Sequence, residues 1–238
     1  MMYLGGKARH SKEIVNVILN MSAGKTTWIE PFVGAGSVIT KVPKHMSIYG
    51  SDIDSDLIAL LQYVQQGGEL PNTVTHDCYK AVKANPEHFS KHFVAFVSIG
   101  CSFSGKKWGG FARGCTPKGR QRNYALESRN KLMSMDFKNI HFEHKTYSEV
   151  SVNETSIVYC DPPYAGTTGY INKFDSGSFW EWAEKSAKVA DVYVSEYNAP
   201  PGWECIWEKE TASLSGNASA GKRATEKLFR LNKQEMAL

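Results

Sequence analysis

Residues 156–160 read Ser-Ile-Val-Tyr-Cys and are followed at once by Asp161-Pro162-Pro163-Tyr164. A short apolar run rich in β-formers and bounded by turn residues predicts a buried parallel strand. Two consecutive prolines end its ladder, because neither has a backbone N–H to donate and each fixes its own φ. The chain is therefore expected to turn a rigid corner at the carboxyl end of a strand, the edge of an open α/β sheet where ligands bind. The corner offers the Asp161 carboxylate, a backbone carbonyl at Pro162 and the aromatic face of Tyr164. That set suits a flat nitrogen heterocycle. Taken alone, it suits equally well a plain strand-to-loop turn capped by Asp161.

The flanking pattern predicts the sheet. Ile14, Val17, Ile18 and Met21 share one face of a helix for which Ser11 is a plausible N-cap. Trp28 to Glu30 reads as a strand, 31–37 as a glycine loop, and Val38 to Val42 as a helix stopped by Pro43. Met46 to Tyr49 is a second strand, followed by a helix carrying Leu57, Leu60, Leu61 and Val64. The order helix, strand, helix, strand, helix over the first 68 residues implies a parallel sheet. A helix is expected from Pro86 to Val97, with Asp77 as a helix cap before it, and another from Tyr124 to Met135. Strands at 140–142, 191–195, 204–207 and 227–231 complete the pattern, and Ser178-Phe179-Trp180-Glu181 has the spacing of a capping box.

Gly34 and Gly36 stand between a strand and a helix, and Asp52 ends the next strand 18 residues after Gly34. An acid at that point commonly accepts from a ribose hydroxyl pair, while the missing third glycine argues against a dinucleotide. A nucleoside without a pyrophosphate fits better, and S-adenosylmethionine is such a ligand. Asp52 suits its ribose, Lys7 its carboxylate, and Tyr3 supplies an aromatic wall. A solvated turn explains Tyr3 and Lys7 as well.

Charge is uneven. The chain carries 28 Lys and Arg against 24 Asp and Glu, a net +4. Between Gly105 and Lys131 eight basic residues face the single acid Glu127, so this window alone exceeds the net charge of the chain. Five widely spaced cysteines with no Cys-x-x-Cys point to reduced thiols in a cytoplasmic setting. No run approaches the ~18 apolar residues of a membrane span, and the first residues do not form a signal peptide.

Four segments in order, Tyr3-Leu4-Gly5-Gly6-Lys7, Glu30 to Ser37, Ser51 to Ile58 and Asp161 to Tyr164, resemble the Dam-type (D12 class) family of DNA adenine-N6 methyltransferases. The resemblance extends to the tail around Ser213 to Asn217 and Lys222-Arg223. Tyr3 stands where family members often have Trp, and the basic middle matches poorly. The resemblance implies a Rossmann-like α/β cofactor-binding sheet of seven strands, formed by residues 1–68 and 137–238. A mainly helical DNA-recognition insertion would occupy 69–136. It implies that Tyr3, Lys7, Phe32, Gly34, Asp52 and Asp161 contact S-adenosylmethionine, and that Asp161, Pro162, Pro163 and Tyr164 hold a flipped adenine. Double-stranded DNA is the implied partner, met by Lys106, Lys107, Arg113, Arg120 and Arg122, with Lys222 and Arg223 of the tail. Phe103, Trp108 or Phe111 could wedge into the space left by the flipped base. A monomer from a bacterium or phage, requiring no metal, is expected, with or without a partner nuclease.

Rival readings are an N4-cytosine methyltransferase and a DNA-binding protein without catalysis. His88 with His92, and His141 with His144, have spacings open to a metal, but no third ligand is evident and structural roles are favoured. Cys160 reads as a small buried residue.

Overall fold

The computed structural model describes residues 1–163, 174–211 and 224–232. Their strands are β1 (Thr27–Glu30), β2 (Ser47–Asp52), β3 (Ile140–His144), β4 (Ser156–Cys160), β5 (Asp191–Ser195), β6 (Trp203–Thr211) and β7 (Ala224–Leu231). They form one sheet in the order β3-β2-β1-β4-β5-β7-β6. The first five are mutually parallel, and β7 runs antiparallel between β5 and β6. The order in which strands are added reverses between β1 and β4, and in open α/β sheets such a switch point forms a crevice at the carboxyl ends of the strands. Every residue of β4 and β5 is buried. Continuous apolar sequence rather than alternation is what a sheet covered on both faces requires.

The helices are α1 (Ser11–Met21), α2 (Ser55–Gln65), α3 (His76–Ala84), α4 (Lys91–Ala95), α5 (Tyr124–Met133) and α6 (Ser176–Ala187). Helix α2 is capped by Asp54, whose side chain accepts from the N–H groups of Asp56 and Leu57. It buries Leu57, Leu60, Leu61 and Val64, the residues picked out by periodicity. None of the described helices is long and apolar enough to cross a membrane.

Several local expectations need correction. Ser11 is inside α1, after the N-cap His10, and its hydroxyl donates back to the Ala8 carbonyl at 3.3 Å. Residues 39–41 make only a single 3-10 turn, because Pro43 leaves no room for a second. The cap of α3 is Thr75, not Asp77, which lies exposed in the first turn. The segment from Pro86 to Val97 is broken into a 3-10 turn, α4 and a π-helical stretch from Phe96 to Gly100. Helix α6 starts two residues before Ser178, because Asp175 caps it by accepting from the Ser178 N–H and hydroxyl.

The segment between α2 and β3 does not stand apart from the sheet. Tyr79, Val82, Val94, Phe96, Val97 and Leu132 lie in the same continuous core as Trp28, Ile48 and Leu57. A second cluster, on the other side of the sheet, gathers Ile29, Val158, Phe179, Val192 and Val194.

Candidate active site

Asp161 follows the last residue of β4, beside the crevice between β1 and β4. Its Oδ1 lies 2.8 Å from Lys7 Nζ. Lys7 is almost wholly buried, and an ammonium in that position needs anions around it. It finds Asp161, Glu226 Oε2 at 3.5 Å and the Gly5 carbonyl at 3.0 Å. Burial works against the Lys7 charge, but Asp161 and Glu226 outweigh it and hold the pKa above the ordinary lysine value. This modifies the sequence-based expectation: Lys7, assigned to a ligand carboxylate, here directs its three N–H groups at oxygens of its own chain. Pro162 is buried and Pro163 partly so. Tyr164, Lys222 and Arg223 lie outside the described residues.

The glycine loop joins β1 to this corner. Gly34 has φ +49°, and a Cβ there would stand 2.9 Å from the Tyr3 ring. Only glycine combines that backbone with that contact. The Tyr3 ring thus lies directly on the loop. Gly34 N–H donates to Asp52 Oδ2 at 3.1 Å, and Asp54 N–H donates to Asp52 Oδ1 at 3.0 Å. Each carboxylate oxygen keeps a second lone-pair site. Burial pushes the Asp52 carboxyl up to about 6, with the Asp54 and Gly34 N–H groups acting in the opposite direction. Ser51 precedes Asp52 in β2, and its buried hydroxyl, on the opposite face of the strand, has no hydrogen-bond partner among the described residues. Phe32 packs in an aromatic cluster with Tyr147, Phe174 and Phe179 at 5.6–5.9 Å between centroids.

Three acids were not singled out from the sequence as site residues. Glu30, at the end of β1, is buried and accepts from Trp28 Nε1 at 2.9 Å. Burial, with Asp161 adding to it, drives its carboxyl well above the ordinary range despite that hydrogen bond. Glu226 comes from β7, and Glu196 follows β5. An acid closing an otherwise apolar strand is a signal that could have marked Glu30. Nothing local marks Glu226, which reaches Lys7 only because β7 lies beside β5.

The basic window is divided. Lys107 Nζ lies 2.8 Å from both oxygens of Asp54 and 3.1 Å from Asp56, so the phosphate contact expected of it meets an existing ion pair. Arg122 pairs with Glu127 and lies over the Tyr124 ring at 4.5 Å. Arg113 meets His76 Nδ1 at 2.9 Å. Lys118 and Arg120 lie on the loop between Arg113 and Arg122, and Lys106 directly precedes Lys107. Among the three proposed wedges, Trp108 and Phe111 pack on Tyr79, whereas Phe103 is 64% exposed. The window also lines a cleft of about 350 Å3 bounded by Phe111, Arg113, Gln121, Arg122, Asn123 and Tyr124.

The paired histidines are engaged elsewhere: His92 stacks on Tyr63, His141 on Tyr49, and His144 Nε2 lies 3.0 Å from the Ile53 carbonyl. Cys160 is fully buried.

Comparison with known proteins identifies a family. The family model described as D12 class N6 adenine-specific DNA methyltransferase matches residues 3–103 and 105–199. The DNA adenine methylase of Escherichia coli (strain K12) is 29% identical over 187 residues, covering 69% of this chain and 65% of that protein. The DNA adenine methylase of Salmonella typhi is 30% identical over 181 residues, covering 63% and 61%. The match therefore spans less than two thirds of either relative. Solved structures with some likeness include an rRNA methyltransferase from Streptomyces viridochromogenes, with a TM-score of 0.43, 13% identity and coverage of 97% of this chain and 87% of that one. Another is the magnesium protoporphyrin IX methyltransferase of Synechocystis PCC 6803, with 0.41, 10%, 96% and 80%.

Proposed function

Since the chain belongs to the D12 class N6 adenine-specific DNA methyltransferase family, we propose that it methylates N6 of an adenine flipped out of double-stranded DNA, with S-adenosylmethionine as donor. The observation that carries this reading is the meeting of four distant segments at one crevice. Tyr3 lies on Gly34, Gly34 bonds Asp52, and Lys7 pairs with Asp161.

The residues present fit the cofactor. Asp52 retains acceptor sites for a ribose, and the Tyr3 ring walls the glycine loop. When bound, the cofactor supplies a methyl already activated on a sulfonium. The chain has to supply the nucleophile. Adenine N6 is a weak one, because its lone pair is delocalised into the ring. The Asp161 carboxylate and the Pro162 carbonyl can each accept one N6–H, which favours a localised pair and stabilises positive charge as it builds on nitrogen. Lys7 holds the Asp161 carboxylate from one side and limits its rotation. The two prolines fix the carbonyl, so alignment is built in before the base arrives. A stacked base cannot reach this corner, so it must leave the duplex. Tyr164 is the residue proposed to stack on it, worth about 1–3 kcal/mol per base.

Residues 69–136 are the proposed DNA-reading insertion. Lys106, Arg113, Arg120 and Arg122, with Lys222 and Arg223, form the proposed phosphate- and base-contacting set, whereas Lys107 is already paired with Asp54 and Asp56. The chain is proposed to act as a monomer in a reducing, cytoplasmic setting.

The test is methyl transfer from labelled cofactor to duplexes lacking either adenine or cytosine. Label is expected only where adenine is present. Label that requires cytosine would establish N4-cytosine chemistry instead. Duplex binding with no transfer at saturating cofactor would make the chain a DNA-binding module.

A further inference from the structure

The loop from Phe103 to Gly110 belongs by sequence to the proposed insertion, yet it is bound into the cofactor edge at two points. At Gly105, φ +68°, a Cβ would stand 2.5 Å from the Met2 carbonyl carbon and 2.7 Å from Tyr3 N. Leu4 N–H donates to the Gly105 carbonyl at 3.2 Å. Two residues on, Lys107 reaches over the start of α2 to Asp54 and Asp56. Asp54 is the hub of that turn. Its N–H donates to Asp52 Oδ1 at 3.0 Å, and its Oδ1 accepts from the Asp56 and Leu57 N–H groups.

Asp52, Asp54 and Asp56 thus crowd three carboxylates into five residues. Without a cation, their repulsion would loosen the turn that aims Asp52. Lys107 and its two partners are each only 21–25% exposed, so the pairing is better shielded than a surface contact. We infer that Lys107 is a positioning residue for the cofactor, holding the Asp54 turn so that Asp52 keeps its acceptor sites directed into the crevice. The inference rests on the methyl-transfer reading. It also gives the insertion a share in the cofactor site. The loop that exposes Phe103 carries the cation that steadies Asp52, so cofactor affinity and DNA engagement should be linked reciprocally.

The experiment compares wild type with Lys107→Met, Lys107→Arg, Asp54→Asn and the Lys107→Met/Asp54→Asn double variant. Dissociation constants for S-adenosylhomocysteine without DNA are read beside KM, kcat and Tm. Lys107→Met should raise the dissociation constant and the cofactor KM by about tenfold, with kcat at saturation within about twofold of wild type. Lys107→Arg should restore most of the affinity. In the Asp54→Asn background, Lys107→Met should add no more than about a twofold loss, because the pair acts as a unit. Unaltered affinity in Lys107→Met would overturn the inference, as would a fall in kcat with KM unchanged. So would a loss that tracks a lower Tm and is not rescued by arginine. If wild type itself fails to bind S-adenosylhomocysteine, the methyl-transfer reading falls and takes this inference with it; normal wild-type binding with an indifferent Lys107→Met removes the inference alone.

Discussion

Asp161 and Lys7 pair at 2.8 Å beside the crevice, and they answer to different tests. Asp161→Ala should lower methyl transfer by about 10²-fold or more, since it removes an acceptor aimed at charge that develops during reaction. Duplex binding measured by fluorescence anisotropy should stay within about twofold, because the proposed phosphate contacts do not include this residue. Asp52 gives a pH signature. Its folded carboxyl ionises only near 6, whereas an exposed aspartate does so near 4. Ribose hydroxyls donate best to the ionised form, so cofactor affinity should fall as pH drops through about 6, as calorimetry would record. The free protein should respond with the opposite sign. A raised carboxyl pKa contributes stability at low pH that is lost as pH rises through about 6, so this residue opposes the usual acid destabilisation. Asp52→Asn should flatten both limbs.

Among the elements, the glycine loop and the Phe103–Gly110 loop are the least replaceable. Gly34→Ala should cost about 1–2 kcal/mol from backbone strain alone and more from the clash with Tyr3, read as a lower Tm together with weaker cofactor binding. Phe103→Ala should leave the fold intact and reduce 2-aminopurine fluorescence at the target position, which reports an extruded base; an unchanged signal would free Phe103 of a wedge role. The strands were legible in sequence because β1, β4 and β5 are buried on both faces and write themselves as apolar runs. The short helical pieces from 86 to 100 were not, because a π-helical stretch and an α-helix share the same apolar spacing over so few residues. At the candidate site, the placement of Asp161 and Asp52 at the ends of β4 and β2, and of Gly34 in the loop after β1, was legible because a strand signal precedes each. The pairing of Lys7 with Asp161 and Glu226 was not, since it depends on β7 entering the sheet beside β5. Nor was the bond between Lys107 and Asp54, which spans 53 residues.

At the scale of the molecule, one continuous core links the sheet to the proposed insertion through Tyr79, Phe96 and Leu132. Leu132→Ala should therefore destabilise the whole chain by about 2–5 kcal/mol, and calorimetry should show a single transition for both proteins. Separate melting of an insertion unit would contradict that linkage. DNA affinity should fall steeply with salt, and Arg120→Ala should shallow the log–log slope by about 0.9 if that guanidinium neutralises a phosphate. The central pairing of the sheet sets the order in which these parts can arise. Thr27 of β1 is partnered with Ser156 of β4, so the crevice has only one wall until the ribosome has delivered the chain beyond residue 160. During that interval β1 and β2 are an unfinished sheet with an open apolar edge. Such long-range closure slows folding and exposes nascent chains to aggregation. The corner at Asp161 is thus acquired late, and the Glu226 that pairs with Lys7 later still, and expression at low temperature or with chaperones should raise the yield of active protein more than it raises total synthesis.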